Sequence, residues 1–210
     1  MNNNKFAFAL TGSIMTIFFL FIVNRLTTPD EMWFFHSALL ILQWPLAIYF
    51  ITRGLNKPFA AIDTLLIISC LFVDNMLYSP DHPWFLYAAF AIVWWPILLY
   101  AGRFAGTLAM AIIGSVSIIV SYTLLNVFIS PAFPWAIFPA YAVLWWPLAV
   151  YCGRRGKWFL FSVVGALLSM LLFVTINAIT TEEIWAIYPI FAIAWWPLSM
   201  YYYSYSKKTA

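Results

Sequence analysis

Apolar residues run along this chain in blocks of about twenty, separated by short stretches that carry nearly all of its charges. A helix needs about twenty residues to cross a hydrocarbon layer of roughly 30 Å. The blocks therefore predict eight helical spans, at approximately 6–24, 33–51, 59–77, 84–101, 104–126, 135–152, 158–177 and 185–203. Runs such as Leu65 to Val73 do not alternate in polarity, which argues against the strands of a transmembrane barrel. The first block, Phe6 to Val23 behind Lys5, has the layout of a signal peptide. It is too long for one and no small-x-small site closes it, so it reads as a retained span.

The blocks repeat. Trp-Pro recurs at Trp44-Pro45, Trp95-Pro96, Trp146-Pro147 and Trp196-Pro197, at offsets of 51, 51 and 50 residues. Trp33, Trp84, Trp135 and Trp185 precede these tryptophans by eleven residues, and Tyr49, Tyr100, Tyr151 and Tyr201 follow them by five. Asn24, Asn75, Asn126 and Asn177 keep a spacing of 51, so the missing residue belongs to the loop between Asn177 and Trp185. A period near 50 residues decides the fold class before any single element does. The expectation is an all-α polytopic membrane protein, with eight transmembrane helices arranged as four parallel helical hairpins in one membrane domain. The repeats fall at approximately 1–54, 55–105, 106–156 and 157–210. Each hairpin has an even number of spans, so all four enter the membrane in the same sense, unlike the inverted repeats of many transporters.

Composition agrees. At 65% hydrophobic and 8% charged, the 210 residues cannot cover a water-soluble surface. Lys5, Arg53, Lys57, Arg103, Arg154, Arg155, Lys157, Lys207 and Lys208 share one set of span ends, and Arg25 alone lies at the other. Asp30, Glu31, Asp74, Asp81, Glu182 and Glu183 lie opposite, with Asp63 the exception. The basic side is the cytoplasmic one by the positive-inside rule, which puts both termini in the cytoplasm of a bacterial cell and the spans in its cytoplasmic membrane. Those basic residues suit anionic lipid better than nucleic acid.

Candidate chemistry is sparse. Cys70 and Cys152 are isolated and read as small packing residues. There is no Gly-rich phosphate loop, zinc-binding helix or nucleophile elbow, and no soluble segment long enough for a catalytic domain, so neither an enzyme nor a cofactor is expected. The first tryptophan of each copy belongs at the headgroup level with its N–H in water. The second set, Trp44, Trp95, Trp146 and Trp196, lies about 16 Å deeper at 1.5 Å per residue and forms an aromatic layer. Rings there could cage a cation or a flat apolar compound, but recurrence in every copy favours packing between repeats. The adjacent prolines should bend each second helix. Gly12, Gly114 and Gly165 share one position that admits a close neighbour, and the four Asn residues suit helix caps or loop clamps.

Departures from the repeat are more specific. The glycine position holds Asp63 in the second copy, and Asp74 replaces Val23, Leu125 and Ile176. In the first copy His36 stands where Tyr87, Phe138 and Tyr188 do, and Gln43 where Trp94, Trp145 and Trp195 do. Ionisable residues inside a membrane are costly and mark candidate sites. His36, Gln43, Asp63 and Asp74 are the candidate polar site. Asp63 could instead reach Arg53 or Lys57 at the interface, and Gln43 could hydrogen-bond between helices. His36 and Asp74 could pair if their helices pack together.

With its Asn near the end of the first helix and residues such as Trp84, Trp95-Pro96 and Tyr100 in the second, the hairpin resembles the small two-helix domains of bacterial membrane proteins, here present four times. That resemblance implies the fold and no enzymatic activity. The leading expectation is a non-enzymatic structural, sensory or interaction module. The alternative is a small transporter or exporter of an apolar or cationic compound. Short loops confine partners to the lipid bilayer and other membrane proteins. A transporter would need a cavity reaching mid-membrane with Gln43 or Asp63 on its wall, whereas a packed module would satisfy those side chains with neighbours.

Overall fold

The computed structural model describes residues 3–180 and 183–205. Glu182, Lys207 and Lys208, which bear on the orientation, lie outside them. Among the described residues there are nine α-helices and no strand. They are α1 (Asn3–Thr27), α2 (Phe34–Ile51), α3 (Asn56–Tyr78), α4 (Phe85–Ile92), α5 (Trp94–Ala101), α6 (Leu108–Ile129), α7 (Ile137–Arg155), α8 (Trp158–Thr180) and α9 (Ile187–Tyr205). Helices suit apolar blocks because they satisfy every backbone group without water.

Six segments are long and apolar enough to cross a membrane: Asn4–Thr27, Phe34–Ile51, Asn56–Tyr78, Phe85–Gly106, Leu108–Ile129 and Trp158–Thr180. The helices α7 and α9 are not among them. Both are rich in Trp, Tyr and Pro, and α7 ends on Arg154-Arg155, which lowers their mean hydropathy.

The predicted spans and the helices agree except in the second and third copies. The segment expected as one helix over 84–101 is interrupted at Val93, between α4 and α5, and passes through a 3-10 turn (Gly102–Gly106). Thr107 then delays α6, its side chain accepting a hydrogen bond from the Met110 amide at 3.2 Å.

The chain forms two compact units, one of residues 1–78 with 92–100 and one of 79–91 with 101–210. Within the first unit α1 packs on α2 and α2 on α3, and within the second α6 packs on α7, α7 on α8 and α8 on α9. The interior is made of small residues while large ones point outward. Ala9, Ala60, Ala111 and Ser162, at one shared repeat position, are all 0% exposed, whereas Phe18, Ile113 and Leu171 are each more than half exposed. That is the reverse of a soluble core and suits a lipid solvent, in which small residues let helices approach closely.

This close approach repairs the proline positions. Proline leaves the carbonyl four residues earlier without its helical partner. Ser13, one turn after Ala9, donates to the Ile41 carbonyl at 3.2 Å, and Ser115, one turn after Ala111, donates to the Val143 carbonyl at 3.0 Å. Those carbonyls lie four residues before Pro45 and Pro147, and α2 and α7 run through their prolines unbroken. In the second copy the equivalent Thr64 keeps a buried hydroxyl without a partner, and there the helix is interrupted, three residues before Pro96. In the fourth, Ala166 offers no hydroxyl, yet α9 is continuous through Pro197.

Candidate functional site

The four polar exceptions all lie in the first unit, His36 and Gln43 on α2 and Asp63 and Asp74 on α3. His36 and Asp74 meet where the N-terminal end of α2 adjoins the C-terminal end of α3. The imidazole Nε2 stands 2.6 Å from Asp74 Oδ2, and because a carboxylate only accepts, the nitrogen donates. The carboxylate is well covered and the imidazole is not, with side-chain exposures of 12% and 51%.

Further along the pair, toward the C-terminal end of α2, the Gln43 side chain approaches Asp63. Asp63 is 5% exposed and makes no ion pair with Arg53 or Lys57. Those cations instead lie over aromatic faces, Arg53 at 3.5 Å from the Tyr49 ring centre and Lys57 at 5.6 Å from that of Tyr100. The interfacial route open to Asp63 in the sequence is therefore not taken. Gln43 Oε1 and Asp63 Oδ1 both remain buried without a partner.

Two cavities adjoin Gln43. One, of about 270 Å³, extends from His36 and Asp74 past Leu39, Leu40, Ile67, Cys70 and Leu71. The other, of about 330 Å³, lies between Gln43 and Tyr49 against Phe6, Leu10, Pro45 and Leu66. Gln43 forms part of both walls, and Asp63 of neither.

The second unit shows what Gln43 and Asp63 replace. Their equivalents 102 residues on are Trp145 and Gly165. A Cβ on Gly165 would lie 2.7 Å and 2.8 Å from carbons of the Trp145 ring and 2.8 Å from one of Trp196. The two indoles stack with centres 6.1 Å apart, and Phe161 packs against both. Where the second unit fills this junction with an indole over a glycine, the first has a carboxamide over a carboxylate. The smaller side chain leaves room on either side.

The aromatic layer is less buried than its depth suggests, since Trp44 is 48% and Trp95 39% exposed. Its ring contacts run both within and between repeats. Trp44 meets Phe8 edge to face, Trp95 meets Phe59 and Trp196 meets Phe161, at centre distances of 6.1, 5.7 and 5.8 Å. Phe8, Phe59 and Phe161 share a repeat position, a partner that attention to the tryptophans alone missed. Trp196 also stacks on Trp145 of the preceding repeat.

The outer tryptophans differ from expectation too. Trp33 Nε1 donates to Thr28 Oγ1 at 2.7 Å and Trp135 Nε1 to Ser130 Oγ at 2.6 Å, so these N–H groups fasten the loop. The Asn residues clamp the same loops. Asn126 Nδ2 donates to the carbonyls of Ser130 and Phe133 at 2.7 and 2.8 Å, and its Oδ1 accepts from the Ala136 amide at 3.1 Å.

Among the described residues no group of three His, Cys, Asp or Glu side chains could hold a metal ion. Cys70 and Cys152 are free thiols. No family model, curated protein or solved structure matches this chain.

Proposed function

We propose that this chain is a small membrane carrier whose route for an apolar or cationic compound runs along α2 and α3, past His36, Asp74 and Gln43. The observation that carries the reading is Gln43 on the walls of two cavities, one of them reaching His36 and Asp74, with buried, unpartnered acceptors on Gln43 and on Asp63. Buried polar groups of a packing element find partners, and those left open cost about 1–3 kcal/mol each. The proposal includes eight spans in four parallel hairpins, related in pattern to bacterial two-helix domains. It sets both termini in the cytoplasm and the spans in a bacterial cytoplasmic membrane, surrounded by lipid and free of catalytic or nucleic-acid chemistry.

Flux tests the route. In vesicles containing purified protein, leakage of a panel of cationic and neutral dyes should exceed that of empty vesicles. The double exchange Gln43→Trp with Asp63→Gly, which installs the pair found at Trp145 and Gly165, should abolish the excess. No excess for any dye sinks the carrier reading.

A second reading, a structural, sensory or interaction module, is favoured by the second unit. There, glycines seat indoles and Tyr141 pairs with Ser169 at 2.8 Å. It becomes the better one if the exchange variant retains every phenotype of the parent.

Orientation has its own test. In a background with Cys70 and Cys152 replaced by Ala, Ser79→Cys should label from outside the cell and Gly153→Cys only from inside. A Cβ at Gly153 meets nothing nearer than 3.8 Å, so that variant should fold normally. Labelling of both from one side removes the eight-span topology.

A further inference from the structure

We infer that His36 and Asp74 form a proton-exchange site, at which a monovalent organic cation entering the adjoining cavity displaces one proton from the imidazole. The inference rests on the carrier reading and deepens it, since it makes the substrate cationic and ties its movement to that of a proton.

The wall sets the charge. Around the cavity of about 270 Å³, Asp74 is the acidic side chain and His36 the basic one, and most of the remainder is leucine and isoleucine. The imidazole donates from Nε2 to Asp74 Oδ2 at 2.6 Å, which a neutral ring does as well as a charged one. The pair therefore carries one net negative charge or none, according to whether Nδ1 also holds a proton. A net charge against an apolar wall is costly, and either a proton on His36 or a cation in the cavity cancels it. Each removes the need for the other. The exchange balances: imidazolium and carboxylate take in one cation, one proton leaves from Nδ1, and the Nε2–H stays on Asp74.

Placement suits these roles. Asp74 is well covered, which holds the negative charge at the wall, whereas His36 is half exposed and stands in the first turn of α2, next to the loop. A carboxylate accepts at both oxygens, so a cation can lie against Asp74 without breaking the bond to His36. An anion would add to the charge, and a neutral compound would leave it as it is. On the helices packed against α2, which are α1 and α3, Cys70 shares the wall, Tyr78 is exposed one turn past Asp74, and Asp63 lies off the cavity. The Arg25 guanidinium stands over the Phe21 ring at 5.7 Å, and Asp30 and Glu31 are exposed in the loop before α2. Lys5, Tyr49 and Lys57 belong to the opposite ends of their helices.

The repeat argues against a packing device. The positions 102 residues on hold Phe138 and Ile176, an apolar pair, so the hairpin pattern does not require a polar one. Asp74 without His36 would leave a covered carboxylate without this bond, so the two departures serve each other.

Binding of benzyltrimethylammonium, whose charge is the same at every pH, to the protein in phosphatidylcholine nanodiscs tests the exchange, with empty discs subtracted. One proton displaced per cation makes affinity rise by up to about tenfold per pH unit, so between about pH 5 and pH 8, where an imidazole changes charge, it should tighten about tenfold or more. In weakly buffered solution at the acid end, binding should release protons into the medium. His36→Gln, which keeps a donor for Asp74 but no titrating ring, should bind at the acid end as tightly as the parent does at the alkaline end. Asp74→Asn, which keeps the shape, should weaken binding about tenfold or more at the alkaline end. The proton release is read on the parent protein, so a variant that fails to fold does not leave the matter open. Affinity indifferent to pH, no released protons, pH dependence surviving in His36→Gln, or undiminished binding by Asp74→Asn overturns the inference. Dye flux with pH-indifferent binding defeats this inference alone. Proton-linked binding without flux of any dye defeats the carrier reading and leaves the exchange site standing.

Discussion

Gly165→Ala should lower the stability of the folded protein by about 1–2 kcal/mol and Gly165→Leu by considerably more, while Gly12→Ala should leave it unchanged or raise it slightly. The three glycines occupy one repeat position, so propensity arguments treat them alike and would award alanine up to about 1 kcal/mol in each helix. Space separates them. A Cβ at Gly165 would press on two stacked indoles at once, Trp145 and Trp196, and neither ring can retreat without displacing the other or Phe161. Overpacking of this kind costs about 1–3 kcal/mol, which outweighs the helix gain. At Gly114 a Cβ would press still more closely on the single ring of Trp146, whereas at Gly12 the nearest atom is a Trp44 carbon at 3.8 Å, an ordinary contact. Unfolding in graded detergent mixtures should place the Gly12 alanine variant above both the Gly114 and the Gly165 variants. Equal behaviour at the three positions would show that the glycines serve the backbone and not the indoles.

The same position illustrates how much of this protein its sequence discloses. The helical blocks, the period and the glycine register are legible because lipid imposes length and because a repeat compares the chain with itself. His36 with Asp74 is legible as well, since two departures from consensus near one end of neighbouring helices invite pairing, and the structure brings them to 2.6 Å. The Gln43–Asp63 pair was half visible. Each residue stood out, but Asp63 also had Arg53 and Lys57 within reach of its chain position, and which partner wins depends on the azimuth of α3, which spacing alone does not fix. Ser13 and Ser115 were missed altogether. A serine one place after a glycine looks like more of the same small-residue seam, and its use as a donor becomes evident only when the carbonyl freed by a proline on the next helix lies opposite it.

Proline itself shows the limit of a motif. Four Trp-Pro units predict four equivalent bends; three of the helices run on through their prolines and one is interrupted, three residues ahead of Pro96. In the interrupted copy the hydroxyl of Thr64 has found no acceptor. Across the helix interface a serine takes up the carbonyl freed at Pro45 and at Pro147, while α9 runs on through Pro197 without one, so identical motifs give different local structures in different company.

Asn126→Ala and Asn177→Ala should each destabilise the protein by about 1–3 kcal/mol, the range for leaving buried or half-buried backbone groups unpaired. Both carboxamides act as the missing turn of a helix end. The Asn126 amide donates to the carbonyls of Ser130 and Phe133 and its oxygen accepts from Ala136. Asn177 donates to the Glu183 carbonyl at 2.8 Å and accepts from the amides of Trp185 and Ala186 at 2.9 and 2.8 Å. The partners have shifted by one residue, from Phe133 and Ala136 to Glu183 and Ala186, which absorbs the residue missing from that loop. A clamp that tracks the backbone groups and not the residue count is acting on loop geometry, and its removal frees the entry of the next helix as well as the exit of the last. Asparagine to aspartate discriminates this from a mere preference for a polar side chain. Asn126→Asp keeps the size and the acceptor but turns the donors that hold two carbonyls into an oxygen that repels them, so it should be at least as damaging as alanine. Thermal midpoints in detergent, read alongside proteolysis at the 130–135 loop, measure both effects. An Asn126→Asp protein as stable as the parent would show that the carbonyls of Ser130 and Phe133 are satisfied by water and that the clamp contributes nothing.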